Sequence, residues 1–191
     1  MKRLIGCVAA AAVLLLIAQP AGASVISVSG VQELASPGNP CITADPVPGG
    51  SPFIFTMSGG FNGCWYVVDA IDKFQDNGAL HETGHELFVG CLDRGADGSC
   101  TGDPTGTLAF SYVFTGKFDP ATFEEIKGRC HHHVDEGTGA FVGASGIVNF
   151  KDDVAAEIAT YSGNIKVASS SNASTIRRAR SRQAAAPTAA C

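Results

Sequence analysis

The sequence predicts an all-β protein whose strands close into a barrel. Apolar and polar residues alternate with a period of two over 107–118, which is typical of a strand with one buried face. Short segments of this kind recur along the chain with turn residues between them, as in sandwiches and barrels. A glycine-rich stretch at 137–146 falls between two such segments, and glycines there allow strands to bend and close.

Eight segments have the composition of strands. An alternating segment at 24–29 comes first, and a loop rich in proline (36–52) separates it from the second. The Asp-Asn-Gly sequence at 76–78 is a strong turn signal. A further turn is expected at 119–122, and 123–125 suits a helical turn. The predicted strands are 24–29, 53–57, 64–71, 85–92, 107–118, 126–134, 147–151 and 157–167.

Residues 1–23 have the pattern of a secretory signal peptide. Lys2 and Arg3 precede an apolar run, and the small residues at 21–23 suit a cleavage site. The apolar run is too short to span a bilayer, so we expect a secreted protein with no transmembrane segment after cleavage. The sequence therefore divides into a signal helix at 1–23, a barrel domain at 24–168 and a disordered tail rich in Ser, Ala and Arg at 169–191.

Six cysteines follow the predicted signal peptide, and an even number in an exported chain favours disulfides. Cys91 and Cys100 flank a short loop rich in turn residues, so a bond between them would join the two strands that the loop connects. Cys41 and Cys64 are the next predicted pair, because their bond would tie the proline-rich loop to the following strand. Three alternatives stay open for the other two cysteines, Cys130 and Cys191: free thiols, a bond with each other, or another connectivity.

The formal net charge of −5 is unevenly distributed. Residues 24–168 contain 18 acidic and 7 basic residues, whereas four arginines lie in the tail. An acidic body argues against nucleic acid as a ligand, because binding phosphates needs a basic surface. We interpret the arginines as part of a solvated tail.

The segment at 81–85 reads His-Glu-Thr-Gly-His and matches the H-E-x-x-H motif of zinc proteases. That motif requires a helix, which places both histidines on one face. The turn signal at 76–78, Gly84 and the β-like residues that follow argue against a helix. On a strand, His81 and His85 would lie about 13 Å apart, too far to share one zinc ion. The match is interpreted as chance, no metal site is predicted, and a small secreted zinc protease stays as an alternative.

Three further histidines follow Cys130. On a strand, Cys130 and His132 face inward, whereas His131 and His133 face solvent. Two outward histidines do not make a structural zinc site, so we interpret them as a polar face. The inward His132 lies where a ligand or an acid–base group of a barrel would be found. The candidate ligand-binding residues of the lumen are Tyr112, His132 and Tyr161.

Residues 137–148 resemble the G-(S/T)-G-x-F-x-G-x-x-G stretch of the allene oxide cyclase and dirigent barrels. The region 84–167 is also similar to small exported bacterial proteins with such a domain. The resemblance implies an eight-stranded antiparallel barrel with an apolar lumen, and it carries over no catalytic residue. The motif positions expected to be structural are Gly137, Gly139, Phe141, Gly143 and Gly146, with the phenylalanine filling the interior.

Three classes of function follow from these observations. We favour a non-catalytic exported barrel that binds a small apolar ligand or a glycan, or acts at the cell envelope, because no acid–base pair, partnered nucleophile or metal triad is recognisable. The second class is an isomerase or coupling guide of the cyclase or dirigent kind, and the third is the zinc protease. No cofactor is expected. A cavity above roughly 300 Å³ with converging polar groups would favour a ligand site.

Overall fold

The alternating segments form strands that close into a barrel. A computed structural model describes residues 23–42, 53–92 and 106–168. Each strand pairs antiparallel with the next, and β1 pairs with β8, so the predicted closed eight-stranded antiparallel barrel is confirmed. The strands are β1 (Ala23–Leu34), β2 (Ile54–Gly59), β3 (Phe61–Phe74), β4 (Ala79–Leu92), β5 (Gly106–Phe118), β6 (Glu125–Gly137), β7 (Ser145–Asp153) and β8 (Ile158–Ala168).

Several predicted boundaries need correction. β4 begins at Ala79, six residues before the predicted start, because the backbone bond from Gln75 N–H to Ala79 C=O closes a tight turn and pairing runs up to it. The predicted helical turn at 123–125 is wrong, since Glu125 begins β6 and Phe123 has a φ of 60°. Ala23 starts β1, whereas the rest of the predicted signal helix and the predicted tail lie outside the described residues.

The barrel interior is packed around one tryptophan. The side chain of Trp65 is fully buried, and its ring stacks on Phe110 with centroids 4.6 Å apart. The rings of Phe61 and Phe150 lie 5.9 and 5.3 Å from it. Burial follows the predicted alternation along β5, where Phe110 is buried and Val113 is exposed. The inward faces of the strands therefore supply the core, as expected for a strand period of two.

The end of the barrel where β5 begins is closed by apolar side chains. A short 3-10 helix, Gly139–Phe141, follows β6 and buries Phe141 in the core. The ring of Phe141 lies 6.2 Å from that of Phe88. Gly137 leaves room for this crossing, because a Cβ there would lie 2.0 Å from the Phe141 carbonyl oxygen. The glycine-rich stretch thus brings a ring over the barrel end.

Three of the described cysteines take part in disulfide bonds. The predicted Cys41–Cys64 bond is confirmed, and it fastens the segment after β1 to β3. The hydroxyl of Tyr66 donates to the Cys41 carbonyl at 3.2 Å beside it. Cys91 is also disulfide-bonded, whereas Cys100, its predicted partner, lies outside the described residues, as does Cys191. Cys130 carries a free thiol.

Candidate ligand-binding site

A cavity of about 560 Å³ opens at the barrel end opposite Phe141, where β5 ends and β6 begins. We call this end the mouth. Its rim includes exposed apolar side chains, of which Leu34 is 63% exposed and Phe53 is 57% exposed. This volume is larger than the space that remains in a small barrel filled by its own side chains, and it lies within the range of small-molecule sites. The apolar walls include Phe55, Phe114, Phe118, Phe150, Ile158 and Ala159.

A β-bulge in β3 decides which side chains reach the mouth. The pairing of β3 with β4 shifts between Val67 and Asp69. Val67 lines the cavity before the shift, and Ala70 and Asp72 line it afterwards. An uninterrupted strand would instead turn Ile71 inward, whereas this side chain is exposed. The bulge therefore places a carboxyl group at the cavity in place of an isoleucine.

The floor of the cavity holds a buried carboxyl–imidazole pair. Glu86 of β4 and His132 of β6 are 7% and 3% exposed, and both line the cavity. Glu86 Oε2 accepts from Trp65 Nε1–H at 2.7 Å and lies 2.5 Å from His132 Nε2. These contacts assign the proton of Nε2 as the donor to Glu86. The sequence analysis recognised no such pair, because alternation along one strand does not show what faces it across the lumen.

The other ring nitrogen of His132 has no partner among the described residues. Nδ1 is buried and makes no hydrogen bond, although the ring packs closely on Phe150, with centroids 4.6 Å apart. The ring also stacks on Tyr112 at 5.7 Å. A buried polar atom without a partner is unusual, and a bound ligand is one way to satisfy it. With Nε2–H given to Glu86, the neutral ring presents the Nδ1 lone pair as an acceptor.

A tyrosine and a second glutamate lie beside this pair. The hydroxyl of Tyr112 donates to Glu82 Oε1. Burial raises the pKa of Tyr112, and the hydrogen bond and charge of Glu82 raise it further. Burial also raises the pKa of Glu82, with Asp72 as a further cause. Tyr112 therefore keeps its proton at neutral pH and holds one oxygen of Glu82 in place.

Two more carboxyl groups face each other on β6 and β7. Burial is the main cause that raises the pKa of Glu125 to about 7, and the hydrogen bond and charge of Asp152 add to it. Glu125 Oε1 is buried, and no N–H or hydroxyl group of the described residues donates to it. Glu125 and Asp152 both line the cavity. The mouth thus carries a carboxyl pair that favours holding a proton.

Cys130 also lines the cavity but is a poor nucleophile. Burial raises the pKa of its thiol, and the charges of Glu86 and Glu82 raise it further. Its Sγ lies 3.6 Å from His132 Nε2, which already faces Glu86. A thiol that stays protonated has little nucleophilic or metal-binding character at neutral pH.

The structure brings two of the three predicted lumen residues to the cavity. Tyr112 and His132 line it, whereas Tyr161 is a core residue on another part of the inner wall. The Tyr161 hydroxyl is occupied by the backbone, 2.7 Å from Phe61 N–H and 2.9 Å from the Ser58 carbonyl. Burial raises its pKa to about 12. Its hydroxyl joins strands and is not available to a ligand.

The carboxyl groups of the cavity were missed by the sequence analysis. Glu82 and Glu86 follow the same alternation as Leu80 and Phe88, so a strand starting at Ala79 would have indicated them. The predicted start at 85 hid the first of these positions. Nothing in the local sequence indicates that Asp152 faces Glu125.

The His-Glu-Thr-Gly-His segment lies entirely within β4, so the described chain forms no helix there. His81 and His85 are exposed, whereas Glu82 turns into the cavity. His85 Nδ1 lies 2.9 Å from Asp69 Oδ1. Within residues 23–42, 53–92 and 106–168, no group of three or more His, Cys, Asp or Glu side chains is placed to hold a metal ion. The geometry that zinc proteases need is not formed.

We expect the Glu125→Gln variant to be less sensitive to rising pH than the native protein. The raised pKa means that the folded state keeps a proton that the unfolded state loses between about pH 4.5 and 7. Native stability therefore falls as the pH rises through this window, and glutamine removes that loss. Tm measured from pH 4 to 8 should show the variant gaining about 2 °C relative to the native protein by pH 8. The exposed Glu124→Gln is the control, and parallel curves for native protein and Glu125→Gln would contradict the assignment.

Comparison with protein-family models, with curated proteins and with solved structures gives no match to this chain. The resemblance to allene oxide cyclase and dirigent barrels stays a prediction from the glycine-rich stretch.

Proposed function

We propose that the barrel binds a small, largely apolar molecule in the cavity at its mouth. The observation that carries this proposal is the cavity itself, about 560 Å³ with phenylalanine walls, in a barrel small enough for its own side chains to fill. Polar groups converge at its floor, where Glu86 and His132 meet. An apolar enclosure with few polar groups is the usual form of a small-molecule site.

The proposal includes export from the cytoplasm. The Cys41–Cys64 bond supports it, because disulfides persist in oxidising compartments. The signal-like pattern of the first 23 residues supports it from the sequence. Among the described residues, no helix has the length and apolar character needed to cross a membrane.

A barrel isomerase of the cyclase or dirigent kind is the second candidate. It is favoured by the buried Glu86–His132 pair and by the Tyr112–Glu82 hydrogen bond, which place acid–base groups against an enclosed apolar space. The two candidates differ in what happens to the bound molecule. A binding protein returns it unchanged, whereas an isomerase converts it.

Filling the cavity tests the proposed function. Ala159 lines the cavity on β8, and Ser162 of the same strand is exposed on the outside. We expect purified protein to bind the neutral fluorophore N-phenyl-1-naphthylamine, and Ala159→Phe to weaken this binding by about tenfold or more, because the new ring occupies the site. Ser162→Phe adds the same ring outside and should leave binding unchanged.

Equal effects of the two substitutions, or no binding by the native protein, would contradict the proposal. Mass spectrometry of small molecules that co-purify with the native protein, but not with Ala159→Phe, then identifies the occupant. Incubation of that molecule with the protein separates binding from isomerisation.

A further inference from the structure

The cavity is lined by charges of one sign. Seven carboxyl side chains line it, together with His132, and no lysine or arginine is among its described lining residues. The basic side chains of this part of the barrel face the other way, along the outer surface of β5, β6 and β7, as Lys117, Arg129 and Lys151 do. The close contacts of the described carboxyl groups with basic side chains involve histidines and no lysine or arginine. The acidic lining therefore has no cationic counterpart from the described barrel.

The carboxyl groups at the mouth stand in facing pairs. Asp72 and Glu82 are directly opposite each other in the pairing of β3 with β4. Glu125 and Asp152 share the space above Gly128, where a Cβ would lie 2.4 Å from Glu125 Oε1 and 2.0 Å from Asp152 Oδ2. Two carboxylates this close repel each other unless a proton or a cation lies with them. A cationic ligand would stabilise both pairs in their ionised form.

Unpartnered atoms at the cavity give an independent indication. His132 is 3% exposed and lines the cavity, and its Nδ1 makes no hydrogen bond among the described residues. With Nε2–H facing Glu86, the neutral ring offers Nδ1 as an acceptor. Glu125 Oε1 is likewise buried, receives no hydrogen bond from an N–H or hydroxyl group of the described residues, and is an acceptor when ionised. Both atoms lack a donor, and an ammonium group is a donor with no acceptor of its own.

The walls complete the description of the ligand. Phe114, Phe118 and Phe150 line the cavity beside the carboxyl groups. Aromatic faces attract organic cations as well as apolar groups. A fatty acid or a phosphate ester would instead bring a negative charge to a lining that already carries seven carboxyl groups.

We propose that the ligand of this cavity is an amphipathic organic amine, with its apolar part against the phenylalanine walls and its ammonium group between the carboxyl groups of Glu125 and Asp152. The inference rests on the proposed function and names the ligand class for the same site. It assigns discrimination by charge to the mouth and affinity for apolar groups to the walls.

Three probes that carry similar alkyl chains and differ in their head group test the ligand class: decylamine, decanol and decanoate. Each probe is titrated against the complex of native protein with N-phenyl-1-naphthylamine at pH 8 and low salt. The concentration of each probe stays below that at which it forms micelles, and displacement of the fluorophore gives its affinity. We expect decylamine to bind about tenfold more tightly than decanol, and decanoate to bind more weakly than decanol. Added salt should reduce the advantage of the amine and leave decanol unchanged.

A matched pair of double variants locates the effect. Glu125→Gln with Asp152→Asn should remove the preference for decylamine and keep the binding of decanol. Asp135→Asn with Glu136→Gln removes the same two charges from exposed positions of β6 and should keep the preference. Far-UV circular dichroism confirms that both variants are folded.

Each outcome decides the inference. Equal binding of decylamine and decanol, or tighter binding of decanoate, would contradict the proposal that the ligand is an amine and would leave the proposed function intact. Loss of the preference in both double variants would attribute it to net charge and overturn the assigned carboxyl pair. Failure of all three probes to displace the fluorophore, or failure of the native protein to bind it, would overturn the proposed function as well.

Discussion

Replacing Trp65 with alanine is expected to lower the free energy of unfolding by about 3–5 kcal/mol. The side chain is 0% exposed and lies at the centre of the interior, stacked on Phe110 and edge-on to His132. Its removal leaves a cavity that the closed barrel cannot collapse to fill, because each strand is held by two neighbours. The substitution also removes the indole N–H that donates a hydrogen bond to Glu86.

Urea denaturation followed by far-UV circular dichroism measures this effect, with the disulfides kept intact. Trp65 is the single tryptophan, so its fluorescence cannot report on the variant. Trp65→Phe keeps most of the ring contacts and loses the hydrogen bond, and we expect it to lose about 1–2 kcal/mol. Ile126→Ala, at a side chain that is 55% exposed, should change stability by less than about 1 kcal/mol. A Trp65→Ala variant as stable as Ile126→Ala would show that the ring is not central to the core.

The second large effect is expected when one member of the buried pair is removed. His132→Phe removes one of the two hydrogen-bond donors of the buried Glu86 carboxylate, and we expect a loss of about 3 kcal/mol, because a buried charged acceptor is left incompletely hydrogen-bonded. Adding Glu86→Met to this variant replaces the charge with an apolar side chain of similar size. The double variant should therefore be more stable than His132→Phe alone.

A double-mutant cycle tests this interpretation with the same denaturation assay. The two single variants and the double variant give the interaction energy between Glu86 and His132. If the double variant lost the sum of the single losses, the two side chains would act independently and the pair would not be coupled. The order of stability between His132→Phe and the double variant is the decisive comparison.

The sequence indicates the fold well because the fold depends on local pattern. The alternation of Leu108, Phe110 and Tyr112 marks the inner face of β5 without reference to any other strand. The positions of strand ends are harder to predict from the sequence. Ala79 begins β4, for example, because the turn before it is tight. Boundaries depend on the pairing between strands, which composition does not specify.

The candidate site is less predictable for a different reason. Glu86 and His132 are separated by 46 positions in the sequence. Their strands lie on either side of β5 in the closed sheet, and the two side chains meet inside the barrel. Asp72 reaches the cavity because a bulge changes which residues of β3 face inward. No residue type near Val67 predicts that bulge. Chemistry across a lumen depends on register, and register is a property of the whole barrel.

The pairing of β1 with β8 has a consequence for how this chain is made. Ala23–Leu34 and Ile158–Ala168 lie at opposite ends of the described chain, yet they form one seam of the sheet. During synthesis β1 has hydrogen-bonding groups on one edge that stay unpaired until β8 has left the ribosome. An open edge of this kind invites pairing with other chains, and distant contacts form slowly. We therefore expect incompletely synthesised chains of this protein to be prone to pairing with other chains until the last strand is available.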